Sequence, residues 1–352
     1  MRVAPHRLLL LLFFLFFSIA ATSASADREP ILDVLRWVRA PLAISVQYNY
    51  IMTARVHLLF FWAGKDDVGS GYIRRGSSTV DSHEEFFQVL FGSDPKKAPR
   101  AINRWGAGTE IAWHKDPLAA PPREDDVTSS AFFGFMKSSR GKSVAEMQKE
   151  LKNEQQRGLH SFTGILSRVE PARAFSVVVP LESDSDFTLH QYELAAPLMF
   201  DHIQSSDLPV RSLAGATHCP RAGSFLATVA ELMNLALAGQ SAPLSRCYVH
   251  DAQENTLTLE SAAPVTSLPV QLHAPDKTTL LDARYDHLLQ LDFVSSHKLT
   301  GKKVSFTILL GTEGSLRAVP VQIRYQPNWW FQVLLNLAPG NPVTATPTLA
   351  SR

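Results

Sequence analysis

The segment Glu110-Ile111-Ala112-Trp113-His114-Lys115-Asp116 holds the combination most capable of chemistry in this chain, two carboxylates flanking an imidazole. On an extended backbone successive side chains point to opposite faces, so Glu110, His114 and Asp116 share one face while Ile111 and Trp113 enter the core. Such a trio could hold a metal, or serve as acid and base in an extracytoplasmic hydrolase. An amphipathic strand with one wetted face explains the same spacing without chemistry, and that reading is preferred.

A second group is electrostatic. Lys96, Lys97, Arg100 and Arg104 gather beside Trp105, and a helical turn starting at Pro99 stacks Arg100 over Arg104. Lys97, Arg100 and Arg104 are therefore candidates for binding a sulfate, phosphate or lipid headgroup, against the simpler role of a solvated face balancing Asp81, Glu84 and Glu85. The signatures of strong catalytic families are missing. There is no H-E-x-x-H, G-x-S-x-G, C-x-x-C, P-loop or G-x-G-x-x-G. The 12 histidines are scattered, so neither a metal nor a cofactor is expected.

A third group is apolar. From Leu42 to Trp62 every even position is apolar, while the odd ones begin polar with Ser45, Gln47, Asn49, Thr53, Arg55 and His57. Period-two alternation rich in aromatic and β-branched residues predicts strand. A straight strand over that stretch would run about 70 Å, so it must curve, carry a bulge or conceal a hairpin near Asn49. Tyr48, Tyr50, Met52, Phe60 and Trp62 then line the hollow of a curved sheet as candidate ligand-binding residues, unless they are ordinary core.

The remaining elements follow from their punctuation. Ser82-His83-Glu84-Glu85 and Ser143-Val144-Ala145-Glu146 read as capping boxes opening helices that stop at Gly92 and Gly158. A third helix is expected from Gly223 to Ala238, with Phe225, Val229, Leu232, Met233, Ala236 and Leu237 inward. Pro117 to Asp126 reads as loop, and Phe162 to Ile203 as mostly β. After Arg246 the chain reads as wholly β, with a hairpin turn at Gly311-Thr312-Glu313-Gly314. Asn328-Trp329-Trp330-Phe331 through Leu337 reads as a last core element, with an interfacial anchor as the alternative because Trp prefers the headgroup boundary.

The N-terminus carries an address. Arg2 and Arg7 precede a 14-residue apolar run from Leu8 to Ala21, followed by Ala24-Ser25-Ala26. This is the pattern of a secretory signal over residues 1–26, and the run is too short for an ordinary bilayer span. An uncleaved anchor is the alternative. No later segment reaches spanning length without charges, so the exported chain is expected to be periplasmic or extracellular. There Cys219 and Cys247, the two cysteines of the sequence, can pair as a disulfide.

Composition bounds the rest. With 34 basic against 33 acidic residues, there is no bulk charge to neutralise nucleic acid. A hydrophobic content of 45% supports a real core over the 352 residues. The fold expected is α+β and predominantly antiparallel β. A long curved sheet with a few surface helices occupies 27–244, a β-sandwich-like part occupies 245–338, and 339–352 is a loose tail. The function expected is an exported, non-enzymatic binding or envelope-accessory protein, whose partner is a small apolar molecule or another envelope protein. The hydrolase built on Glu110, His114 and Asp116 is the alternative.

Overall fold

A computed structural model describes residues 42–58, 61–78, 84–94, 96–98, 103–114, 127–139, 161–168, 173–180, 211–212, 219, 224–250, 252–273 and 280–339. Eight strands come first: β1 (Leu42–Leu58), β2 (Phe61–Ser78), β3 (Glu84–Ser93), β4 (Asn103–His114), β5 (Val127–Ser139), β6 (Ser161–Arg168), β7 (Arg173–Pro180) and β8 (Arg211–Ser212). Helix α1 (Phe225–Leu237) follows. Six strands close the chain: β9 (Leu244–His250), β10 (Gln253–His273), β11 (Leu280–His297), β12 (Lys303–Gly311), β13 (Pro320–Asn328) and β14 (Phe331–Leu337).

All fourteen strands belong to one sheet, in the order β8-β7-β6-β5-β4-β3-β2-β1-β14-β13-β12-β11-β10-β9. Within β1–β8 and within β9–β14 each strand lies antiparallel to its sequence neighbour, and β1 pairs with β14, Tyr50 opposite Leu337. Two meanders are thereby fused through the first and last strands. The protein is mostly antiparallel β with one helix among the described residues.

The sheet must be strongly curled. Neighbouring strands lie about 4.8 Å apart, so β2 and β10, six places apart in the order, would be about 29 Å apart in a flat sheet. Yet Ile73 of β2 shares one hydrophobic core with Val270 and Leu272 of β10. The helix gives a second measure. A 13-residue helix is about 20 Å long. It packs on β9 and β10 while its N-terminus meets Glu110 of β4, about 38 Å away along a flat sheet. The face carrying Tyr50, Ile73, Leu335, Phe293 and Glu110 is therefore concave, and α1 lies within it.

Two phenols brace the hollow. The Tyr50 hydroxyl donates to the Pro320 carbonyl at 2.7 Å, and the Tyr285 hydroxyl to the Leu337 carbonyl at 2.9 Å. Burial pushes the Tyr50 phenol well above its ordinary pKa, with Tyr48 and Tyr285 adding to the shift, so it remains a donor.

Several sequence expectations need correction. The alternating stretch 42–62 is not one strand. β1 ends at Leu58, and its pairing with β2 shifts register between Ile44 and Val46 and between Met52 and Ala54. The chain passes through Asn49 without a hairpin and reverses between Leu58 and Phe61 instead. The stretch 63–71, with its three glycines and two aspartates, lies within β2. The helix expected after Ser82 is strand β3. Its apolar run Phe86–Phe91 supplies both faces of a central strand, and pairing with β2 and β4 outweighs a local capping signal. The C-terminal strands form no separate sandwich, because β14 continues the sheet at β1. The helix expected over 143–157 and the loop at 117–126 lie outside the described residues.

Helix α1 agrees with its sequence reading. Thr228, Leu232, Met233 and Ala236 are its buried face, packed with Tyr248, Leu257, Leu259, Leu291, Phe293 and Ile308. Gly239 ends it with φ +84°, its amide bonded to the Ala236 carbonyl.

Candidate functional site

The concave face is covered unequally. Over β9–β12 the helix encloses the apolar side chains. Over β1–β4 the same face carries buried Tyr50 and Ile73, while Tyr48, Met52, Phe87, Val89 and Phe91, packed against them, are half-buried. Register places them side by side: Tyr48 opposite Ile73, Ile73 opposite Val89, and Tyr50 opposite Gly71, which in turn lies opposite Phe91.

Glycines make the floor of this trough. Gly71 lies between Tyr50 and Phe91, whose rings meet edge to face at 5.6 Å above it. A Cβ at Gly71 would fall 2.1 Å from the Leu90 carbonyl oxygen and 2.2 Å from the Phe91 ring, so only glycine fits. One strand further, Gly106 lies opposite Phe91 and Gly108 opposite Val89. Among the described residues, a Cβ at Gly106 would meet nothing within 4 Å, and Gly106 is itself exposed on the floor of the trough.

Glu110 closes the next position, opposite Phe87. It is 3% exposed. Its two carboxylate oxygens accept the Leu226 amide at 2.9 Å and the Ala227 amide at 3.1 Å. These are first-turn donors of α1 that have no partner inside the helix. Ser224, at the N-cap, makes no side-chain capping bond, so the cap comes from a strand 116 positions earlier in the chain. Burial raises the Glu110 pKa to about 7, against the opposing pull of hydrogen bonds from the helix N-terminus.

The sequence candidates separate in the structure. Tyr48, Tyr50 and Met52 come together on the concave face. Trp62 does not join them. The hairpin pairs it with His57, so the even position on β2 falls in with the odd positions of β1, on the opposite face and 37% exposed. Phe60 lies outside the described residues. His114 ends β4 beyond a register shift, and Asp116 lies outside the described residues. The structure thus accounts for Glu110 as a helix cap and brings no second described side chain of the trio to it.

Of the basic group, Lys97 forms an ion pair with Asp67 at 2.7 Å and approaches Asp94 at 4.0 Å. Arg104 lies on β4, and Arg100 is outside the described residues. Cys219 and Cys247 form the expected disulfide, tying the segment before α1 to β9. Among the described residues, no cluster of His, Cys, Asp and Glu is arranged to hold a metal ion.

The convex face has its own polar ladder, which sequence reading missed. The Gln322 amide donates to Asn336, Asn336 to Thr53, and the Thr53 hydroxyl to Asp66. On β11, burial raises the pKa of Asp292, but hydrogen bonds from Ser261, Thr307 and Gln290 and the charge of Arg324 hold it below the usual carboxylate range. The trough residues Phe87, Val89 and Phe91 were also missed, because their segment reads locally as helix. The aromatic run between two strand-like segments was the available signal.

No family model matches the chain, and no curated protein matches it. Among solved structures it is similar to a β-barrel-like protein of the domain of unknown function DUF1849 from Brucella abortus, at 10% identity and TM-score 0.40, covering 85% of this chain and 97% of that one. It is also similar to a LolA-superfamily protein from Nitrosomonas europaea, at 9% identity and TM-score 0.19, covering 89% of this chain and 91% of the other. At these TM-scores neither likeness carries an argument about this chain.

Proposed function

We propose that this chain is an exported binding protein that holds a small apolar molecule in the trough over β1–β4, without catalysing a reaction. The observation that carries the reading is the glycine floor of β2 and β4, with no described atom within 4 Å of a Cβ at Gly106, beside half-buried Phe87, Val89 and Phe91 of β3 and, further along the same face, Tyr48 and Met52 of β1. Apolar walls around a concavity are what a ligand without charges requires. Export is supported by the basic, apolar and small-residue pattern of residues 1–26 and by the disulfide, which suits an oxidising compartment. Glu110 supports binding over hydrolysis, since both its oxygens are occupied by helix amides.

Titration of the full chain with a fluorescent long-chain fatty acid tests this. The wild type should bind saturably. Gly106→Trp fills the trough from a position where a Cβ meets no described neighbour, and should weaken binding at least about tenfold while leaving the circular dichroism spectrum unchanged. Absence of saturable binding by the wild type, or equal affinity in the two proteins, overturns the proposal.

A further inference from the structure

Among the described residues, the exposed large hydrophobic side chains share one end of the sheet. Phe61 and Trp62 (61% and 37% exposed) stand where β1 turns into β2. Trp329 and Trp330 (75% and 45%) form the turn between β13 and β14. Leu299, at 82%, is in the turn from β11 to β12, and Val304 and Tyr325 lie at the adjacent ends of β12 and β13. Because these strands are antiparallel neighbours, all three turns lie on one rim. The first two are in direct contact: the His57 amide donates to the Trp330 carbonyl at 2.8 Å, and the His57 ring lies 4.9 Å from Trp62 and 6.1 Å from Trp329.

The three turns are basic, with Glu254 of β10 and Asp66 of β2 as the neighbouring carboxylates. Segments 55–65, 298–304 and 324–332 contain Arg55, Lys65, Lys298, Lys302, Lys303 and Arg324 and no carboxylate. Lys298 is paired with Glu254 of β10, and Arg324 is half-buried near Asp292, whereas Arg55, Lys65, Lys302 and Lys303 are exposed. Leaving four large aromatics in water at turn positions costs solubility, and turns tolerate polar residues readily.

We propose that this rim docks on an anionic lipid bilayer, its tryptophans seated at the headgroup boundary and its lysines and arginine on the headgroups. Trp and Phe at loop tips with cations just behind them match the layering of a membrane interface, apolar below and anionic above. A protein partner fits less well, because the centre of a protein interface is depleted in lysine. A second copy fits less well still, since a self-complementary contact would set like charges against each other.

Binding of the full chain is measured on vesicles of phosphatidylcholine alone and of phosphatidylcholine mixed with phosphatidylglycerol, with brominated lipids quenching tryptophan. The wild type should bind the anionic vesicles and be quenched. Trp329→Ser with Trp330→Ser should weaken binding at least about tenfold and remove most of the quenching. Lys302→Gln with Lys303→Gln should weaken anionic-vesicle binding about five-fold per lysine and leave neutral vesicles unaffected. Failure of the wild type to bind overturns the proposal. So does unchanged binding by the double tryptophan variant, which would place the contact elsewhere, for example at residues 8–21. A concentration-dependent dimer in sedimentation, abolished by that variant, would assign the rim to a second copy and likewise overturn it. None of these outcomes depends on the trough.

Discussion

The two halves of the concave face are made of the same material and behave differently. Over β9–β12, Leu257, Leu259, Leu291 and Leu310 are completely enclosed beneath α1. Over β1–β4, Val89, Phe91 and Met52 are as apolar but only half-buried, and the floor is glycine. A sheet curls as a whole, yet one short helix covers only part of the hollow it makes. Enclosure is thus a property of what lies on the sheet, and hydrophobicity by itself does not distinguish core from binding surface.

The largest effect that sharpens this contrast is a truncation under the helix. Phe293 is buried and stacked on Phe306 at 5.0 Å, so Phe293→Ala should cost about 3–5 kcal/mol in denaturant unfolding. Phe91→Ala in the trough should cost half of that or less, because its ring is already partly in water. Equal losses would break the comparison.

The next concerns the Glu110 cap that joins the two halves. Its folded pKa of about 7 lies above the ordinary value of 4.5, so the folded state retains a proton that the unfolded chain loses. The stabilisation is complete below pH 4.5 and disappears as pH rises to about 7, a fall of about 3 kcal/mol. Unfolding midpoints across that window should show this fall in the wild type, and Glu110→Gln should remove it. Parallel pH curves for the two proteins would refute the assignment.

The smallest effects separate two glycines of one floor. Gly71→Ala forces a methyl into the Leu90 carbonyl and should cost about 1–3 kcal/mol. Gly106→Ala enters open space and should stay within about 0.5 kcal/mol of the wild type. Similar costs at both positions would mean that the trough is filled. Thermal unfolding of the pair decides it.

Legibility in the sequence followed the range of the interactions. The alternation of β1 was visible because one of its faces is apolar along its whole length, and its bulges kept that face in place. Helix α1 was visible because its apolar stripe and closing Gly239 are local. The turn after Leu58 was hidden, because Leu58 to Trp62 is uniformly apolar with no Gly or Pro to mark a reversal. With the turn went the orientation of Trp62, since a hairpin decides which parity shares a face. Strand β3 was misread because Ser82 and Glu85 imitate a helix start, and what overrides them comes from β2 and β4.

By itself, then, the sequence determined the predominance of strand, the position of the long helix, the pairing partners of sulfur and the address-like N-terminus, all matters of composition and short spacing. Only the tertiary structure decided that β1 meets β14, that Glu110 is a cap for a helix 116 residues away, and that part of the hollow lies beyond the reach of that helix while aromatic turns gather on one rim. These depend on which distant segments meet when the sheet curls, and periodicity along a chain carries no record of that.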